Sequence, residues 1–539
     1  MLSEVYTVNA TGVWNESYRS YPGRSARYAR KSNPARNGGL SGQKSAEAIV
    51  AKKFFFCEGP NVRTYEKSRS SRAMRGPQKT LENKGCSGKV GMESRDTRKA
   101  HSIAPAQADG NIPGQPNNIL FNQILSRENL NAALKRVVSN KGAAGVDKVT
   151  YREFKEYLIL NWADIKKKLI EETYQPAAVR RVEIPKPDGG KRDLGIPTLL
   201  DRLIQQAIGQ VLTPIYEKKF SDSSYGFRPG RSAHQAVKQA REYIESGYKW
   251  VVDIDLEKFF DRVNHDILMA LLSRDISDKA VLRLIRKYLE SGVMINGVIT
   301  ATEVGTPQGG PLSPLLANIM LDVLDKELEG RGHKFCRYAD DCNIYVKSKR
   351  AGKRIMESVS KFIEKRLRLR INSEKSAVGA PTRRKFLGFT NYHKMKGGIG
   401  IAISAKSKER LQGKLKELTS RSNGKSMKER IESLNQYLIG WLNYYKLADM
   451  SQTLIRIEEW LRRRIRMCLW KAWKKTIARY ENLIKLGQNA GKAYEHANTR
   501  KGYWRVASSY ILSTTVTNEH IRKLGLIEIE KYYLKLRST

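Results

Sequence analysis

Cysteine is scarce and unpatterned. The five thiols, Cys57, Cys86, Cys336, Cys342 and Cys468, form no CxxC pair and have no histidine at zinc spacing. This excludes a disulfide framework and a Cys-rich zinc module, and the odd, scattered set reads as reduced intracellular thiols. Long apolar runs are missing too. None approaches the roughly 18 residues of a membrane span, and the opening MLSEVYTVNATGVW lacks the basic-then-apolar order of a secretion signal. The expected location is therefore the cytoplasm, away from any membrane. Acids are few beside bases: 54 Asp and Glu against 99 Lys and Arg leave a net charge of +45. That imbalance points to a polyanionic partner, with nucleic acid ahead of an anionic membrane surface. The 40% apolar share is nevertheless enough for real cores, and 539 residues suggest three or four domains.

Residues 1–117 stand apart. Only 15 of them are Leu, Ile, Val or Phe, with 20 Lys/Arg against 9 Asp/Glu, a composition that tends to stay unfolded. This segment is read as a basic, disordered extension, either a nucleic-acid-binding arm or the product of a start placed too far upstream. Its end, His101 to Asn117, has three prolines, two glycines and no Lys or Arg, and reads as a linker. From Ile119 apolar residues recur at helical spacing. Short β-like runs follow at Val179–Ile184, Trp250–Leu256, Phe335–Tyr338, Asn343–Lys347, Phe386–Phe389 and Ile399–Ile403, among longer helical stretches. The mixture predicts an α+β fold with a small sheet. After Ser404 only helical periodicity remains, as in Ile431, Leu434, Leu438, Trp441, Leu442 and Tyr445, and a basic helix is expected over Leu454–Trp473.

Two acidic segments carry chemistry. In Phe335-Cys336-Arg337-Tyr338-Ala339-Asp340-Asp341-Cys342-Asn343 a pair of acids occupies a tight turn between two β-like runs. The pair is either a solvated turn or the oxygen-ligand part of a cation site, since adjacent carboxylates otherwise repel. In Val251-Val252-Asp253-Ile254-Asp255-Leu256 two aspartates at i and i+2 project from one face of an apolar strand. A salt-bridged strand end would explain these alone. Two acidic strands in one sheet favour a two-metal site for phosphoryl transfer.

Block for block, these segments and those that follow resemble the reverse transcriptase/maturase proteins encoded by bacterial group II introns, from about Asn118 to the C-terminus. The resemblance implies a right-hand polymerase, with fingers and a palm carrying a small antiparallel sheet over 118–404. A helical thumb or maturase region over 405–478 and a basic helical DNA-binding region over 479–539 would follow. The YADD box, Tyr338 to Asp341, is similar to the family's palm hairpin, and Asp253 to Leu268 to its first acidic strand. In that family the metal-binding acid lies five residues before an aromatic that excludes a 2′-hydroxyl, so the register selects Asp255 and Phe260. Asp255, Asp340 and Asp341 are thus the expected catalytic and metal-binding acids, holding two Mg²⁺ ions against dNTP substrates.

Other blocks agree. Gly305 to Pro314 resembles the loop whose Gln308 lies by the incoming nucleotide, and Lys186 and Arg192 fall where the family holds the triphosphate. Lys375 is in the place of a candidate proton donor. Arg228 and Arg231, in the block Ser224 to Ser232, are expected on template or primer phosphates. Phe386 to Phe389 resembles the primer-grip turn. In the helical region Arg462, Arg463, Arg466, Lys471 and Lys474 alternate with tryptophans and are expected to meet folded RNA.

The activity so implied is RNA-directed DNA synthesis, coupled to binding of the intron RNA, promotion of its splicing and retromobility by target-primed reverse transcription. Target DNA and primer would be further partners, with nucleoid association when DNA is bound. The expected form lacks the family's His-Asn-His nuclease domain. Two alternatives are a splicing-only maturase, which would have lost one of the three acids, and a reverse transcriptase recruited for defence or diversification, which would lack the maturase-like helices. The charge itself generates a prediction: RNA affinity should fall by orders of magnitude between about 50 and 200 mM salt. An affinity flat over that range would exclude a phosphate-dominated interface.

Overall fold

The structure, a computed structural model, describes residues 118–538 apart from 186–190, 296–297, 301–304 and 306–308. The extension and linker expected over 1–117 lie outside the described residues. Among the described residues ten strands form three sheets. β1 (Val179–Pro185) and β2 (Lys191–Ile196) pair antiparallel, while β3 (Trp250–Ile254) belongs to a different sheet. β4 (Val293–Ile295) joins β1 in parallel and β5 (Val298–Thr300) turns back on it, giving a mixed sheet ordered β2-β1-β4-β5. β6 (Lys334–Tyr338), β7 (Asp341–Val346) and β8 (Ala377–Gly379) surround β3 in a wholly antiparallel sheet ordered β6-β7-β3-β8. β9 (Phe389–His393) and β10 (Ile399–Ile403) make a separate hairpin. The run expected as a strand over Phe386–Phe389 is instead a tight turn. Phe386 and Phe389 exchange both backbone hydrogen bonds, and Leu387 and Gly388 sit in the left-handed region.

The antiparallel sheet separates two apolar cores, as strand alternation dictates. Val252, Ile254, Phe335, Cys342, Ile344 and Val346 point into the first, which they share with the helices Leu199–Glu217, Lys279–Glu290 and Ser313–Gly330. Helix Lys349–Phe362 lies on that face, and a Cβ at Gly352 would stand only 2.6 Å from Val378 Cγ1. Val251, Cys336 and Tyr345 point the other way, into a core built from helix Ala233–Glu245 and the helices beyond Ala405.

Beyond Ser404 all described regular elements are helices. Helix Met427–Tyr445 starts from a capping box in which Ser426 and Glu429 satisfy each other's backbone N–H groups, and it buries its expected apolar stripe from Ile431 to Tyr445. Helix Ser451–Ala472 follows it and contributes Leu454, Ile457, Leu461 and Ile465 to the same core. The boundary expected at 478/479 falls inside helix Thr476–Lys485, and the last sixty residues have no core of their own. Tyr533 is fully buried in the second core, where its hydroxyl donates to Ala448 O at 2.7 Å. Asn435 holds the same segment from the other side, donating to Gly525 O and accepting from Ile527 N. A helical, basic and aromatic tail in the sequence gives no sign of which core its apolar groups join. Among the described residues no helix is long and apolar enough to cross a membrane. Tyr533→Ala should destabilise the whole helical half by about 3–5 kcal/mol, the usual cost of emptying a buried aromatic site. Chemical unfolding followed in the Met427–Tyr445 helix checks it; an unchanged midpoint there would restore the separate module.

Candidate active site

The paired acids sit where β6 and β7 meet. Tyr338 lies opposite Asp341, so the turn is the two residues Ala339-Asp340. Ala339 has φ +56, a left-handed conformation that a side-chain-bearing residue adopts only under compulsion. Arg337 supplies the compulsion. Its guanidinium is buried and paired with the equally buried Asp325, Nε to Oδ1 at 2.7 Å and Nη2 to Oδ2 at 2.6 Å. Its remaining nitrogen, Nη1, donates to Ala339 O and to Asn318 Oδ1, both at 3.0 Å. Asn318 in turn donates to Gly226 O at 2.9 Å. Gly226 is packed so tightly on the turn that a Cβ there would be 2.2 Å from Ala339 N. The outer edge of β6 is covered by the same segment, for Arg337 N donates to Ser223 O and Tyr225 N to Arg337 O.

The first acidic strand brings Asp255 alongside. Ile254 pairs with Cys342, so Asp255, one step on, arrives level with Asp341. Its backbone is pinned by Ser376 Oγ, which accepts from Asp255 N at 2.9 Å, and by Asn372 N, which donates to Asp255 O at 2.9 Å. Lys375 Nζ lies 4.0 Å from Asp255 Oδ1. Asp253 faces the same side but is bound to Arg384 at 2.7 Å, and Arg384 also donates to Lys375 O. Burial raises the Asp253 carboxyl to about 6 against the pull of Arg384. Burial, with the neighbouring Asp341 carboxylate, raises Asp340 to about 6 as well, and Asp341 is raised by burial and by Asp255. Asp340 Oδ1 is cut off from solvent and accepts no hydrogen bond among the described residues. Those residues contain no ready-made cage of three His, Cys, Asp or Glu side chains. Mutual repulsion keeps carboxylates from closing up without a cation, and an orphaned carboxylate oxygen beside two further acids has the donor chemistry of a hard divalent ion.

Gly305 packs on the segment that follows Asp255. His265 Nε2 donates to Gly305 O at 2.6 Å, Gly305 N donates to Val263 O, and a Cβ on Gly305 would be 3.1 Å from Phe260 O. Phe260 itself is half-buried, edge-on to Phe259 at 5.2 Å. Further along, a Cβ on Gly309 would be 2.4 Å from Gly195 O, at the end of β2. Arg192 lies opposite Ile184 in that hairpin. Its side chain, with Lys186 and Gln308, lies outside the described residues.

Residues 184–391 match the family described as reverse transcriptase (RNA-dependent DNA polymerase). Residues 408–487 match the group II intron maturase-specific domain. The chain is 34% identical to Protein YkfC of Escherichia coli over 299 residues, 48% of this chain and 78% of that one. It is 41% identical over 210 residues, 38% of this chain, to the group II intron-encoded protein LtrA of Lactococcus lactis, and spans 34% of LtrA's length. The chain belongs to the group II intron-encoded reverse transcriptase/maturase family. A solved chain of a partial Cas6-RT-Cas1–Cas2 complex also matches, at 26% identity over 45% of this chain and 42% of that one, but with a TM-score of 0.28 it carries no argument about the fold.

In this reverse transcriptase several of the expected nucleic-acid-binding arginines turn inward. Arg228, expected on template or primer, is buried, paired with Glu217 at 2.7 Å and bonded to the Ser221 and Ser224 carbonyls. Arg231 is paired with Asp222. Arg462 is paired with Glu458, Arg466 binds Val516 O and Asn518 Oδ1, and Arg463 lies over the Trp504 ring at 3.8 Å while donating to Trp504 O. Arg463 and Arg466 tie helix Ser451–Ala472 to the C-terminal segment, while Arg462 is held within its own helix, so all three already have partners inside the protein. Lys471 and Lys474 remain exposed. The positioning groups Arg337, Asp325, Arg384, Ser376 and Gly226 were not singled out from the sequence. A basic residue directly before the YADD box was the only signal for Arg337, and nothing marked Asp325 among the acids of its helix. Asp325→Ala, which strands a buried guanidinium, should cost about 3–5 kcal/mol. Gly226→Ala should abolish primer extension in a chain that still folds. Calorimetry and extension of an annealed primer check both; a fully active Gly226→Ala would show that the turn tolerates displacement.

Proposed function

We propose that this reverse transcriptase uses Asp255, Asp340 and Asp341 as its catalytic acids, and that it binds a group II intron RNA whose splicing and retromobility it serves. The observation that carries the catalytic reading is the solvent-excluded, unpartnered Asp340 Oδ1 at the tip of a braced turn, next to Asp341, which stands level with Asp255. In this reading the antiparallel sheet is the palm, the mixed sheet with the β1–β2 hairpin the fingers, and the helices after Ala405 the thumb. Two Mg²⁺ ions held by the three acids would, when bound, favour the ionised primer 3′-hydroxyl and neutralise charge on the triphosphate.

The chain's own residues do the rest. Lys186 and Arg192 clamp the triphosphate, Gln308 lies by the incoming nucleotide, and Phe260, on the backbone that the Gly305 loop packs against, closes the space a 2′-hydroxyl would need. Arg384 neutralises Asp253 and so keeps it out of the ligand set. Lys375, held near Asp255, is placed to give its proton to departing pyrophosphate. The maturase-specific match at 408–487 supports intron RNA as partner and splicing as the second activity. Target DNA and a primer, engaged during target-primed synthesis, complete the partners. Exposed Lys471 and Lys474, rather than the inward arginines, offer charge to RNA phosphates.

Replacing Asp340 and Asp341 with Ala should abolish cDNA synthesis and leave RNA binding and protein-assisted splicing intact. Replacing Lys471 and Lys474 with Ala should weaken RNA binding and reduce its salt dependence, with less effect on a short preannealed primer. Measuring both activities on both variants tests the assignment: loss of splicing in the folded aspartate variant would place the two functions at one site.

A further inference from the structure

Outside the catalytic region, one open cavity combines aromatic faces with cations and has no carboxylate in its wall. It has a volume of about 520 Å³ and is lined by Lys416, Ser420, Arg421, Ser422, Trp460, Arg464, Met467 and Trp504. Its size falls within the roughly 300–1,000 Å³ typical of ligand sites. Trp460, Arg464 and Met467 recur at i, i+4 and i+7 on helix Ser451–Ala472 and so form one wall. The turn after helix Ala405–Leu418 forms the second wall, and Trp504, on the short helix Tyr503–Val506, forms the third.

The site is built before any ligand arrives. Arg464 binds the Lys416 and Thr419 carbonyls at 3.1 Å, and Arg430 binds the Leu418 and Ser420 carbonyls at 2.8 and 2.9 Å. Two arginines therefore hold the turn that presents exposed Arg421 at the rim. The aromatics are flanked by cations: Arg464 lies 5.2 Å from the Trp460 ring and Arg463 3.8 Å from Trp504. Next to them, Arg421 and Lys471 lie on Tyr503 at 5.2 and 5.1 Å. Glu417 beside the rim is already paired with Lys414.

Indole faces take a flat π-system, and rim cations take an anion a few ångströms away. A nucleotide joins the two. We infer that this cavity receives one unstacked nucleotide of a single-stranded RNA segment, its base against Trp460 and Trp504 and its phosphate toward Lys416 and Arg421. The inference rests on the RNA-binding reading above and gives it a specific feature: recognition of a nucleotide out of its stack, where the exposed lysines recognise only charge.

The test uses the full chain with a short single-stranded oligoribonucleotide carrying 4-thiouridine, and with the same sequence in a fully paired duplex. Irradiation of the single-stranded complex should crosslink peptides containing Trp460 or Trp504, and Lys416→Ala with Arg421→Ala should remove those crosslinks. Trp504→Ala should weaken single-stranded binding roughly tenfold, as loss of one stacked base predicts, and change duplex binding little. Trp504→Phe should restore most of the loss. Equal weakening of both probes, or crosslinks confined to other peptides, overturns the cavity while leaving RNA binding standing. Failure of the unaltered chain to bind either probe overturns the RNA-binding reading itself.

Discussion

The geometry of the candidate site hangs on a single buried ion pair. Arg337 and Asp325 are both removed from solvent, so their attraction acts in a medium that screens it weakly, and removing either partner leaves the other charge stranded. A hydrophobic pair of the same volume could supply equal stability. It could not supply the nitrogen that reaches past Asp325 to Asn318 and to Ala339 O. The pair therefore holds a strained turn in place, and the turn sets where two repelling carboxylates stand.

The antiparallel sheet extends that control outward. Each strand presents alternate residues to opposite sides, so one wall serves both the core of the N-terminal half and the core of the helical half. Asp255 and Asp341 lie at one end of this wall. Helices packed on either face thus bear on the same few strands, and the helices after Ala405 share a core with Tyr345 and Cys336, within a few residues of the acids. The family's pairing of a polymerase with an RNA-binding helical region has, in this chain, a continuous packing path between them.

The sequence made some of this legible and hid the rest, for physical reasons. Val179–Pro185, the β6–β7 hairpin and Ile399–Ile403 were readable because their apolar runs are bounded by turn residues, and the stripe from Ile431 to Tyr445 because its period is helical. β4, β5 and β8 are three residues each, too short for any period to register. Phe386–Phe389 read as a strand because three of its four residues are apolar, although its glycine is what lets the chain fold back. The acids were legible because charge within an apolar strand is anomalous. The partners of the arginines were not legible, because a charged side chain looks the same in sequence whether it faces a phosphate or, like Arg228, a glutamate eleven residues away.

The second core has a consequence for how the protein is made. Helix Ala233–Glu245 leaves the ribosome long before its partners: His234 bonds to the carbonyl of Tyr444, 210 residues later, and Ala236 and Val237 belong to a core completed only by Tyr533. At the roughly 5–20 residues per second of translation, that first interval alone lasts about 10–40 s. For that time the apolar face of the helix has only Val251, Cys336 and Tyr345 of the antiparallel sheet to pack against, and the part of it that meets the later helices stays uncovered by its own chain.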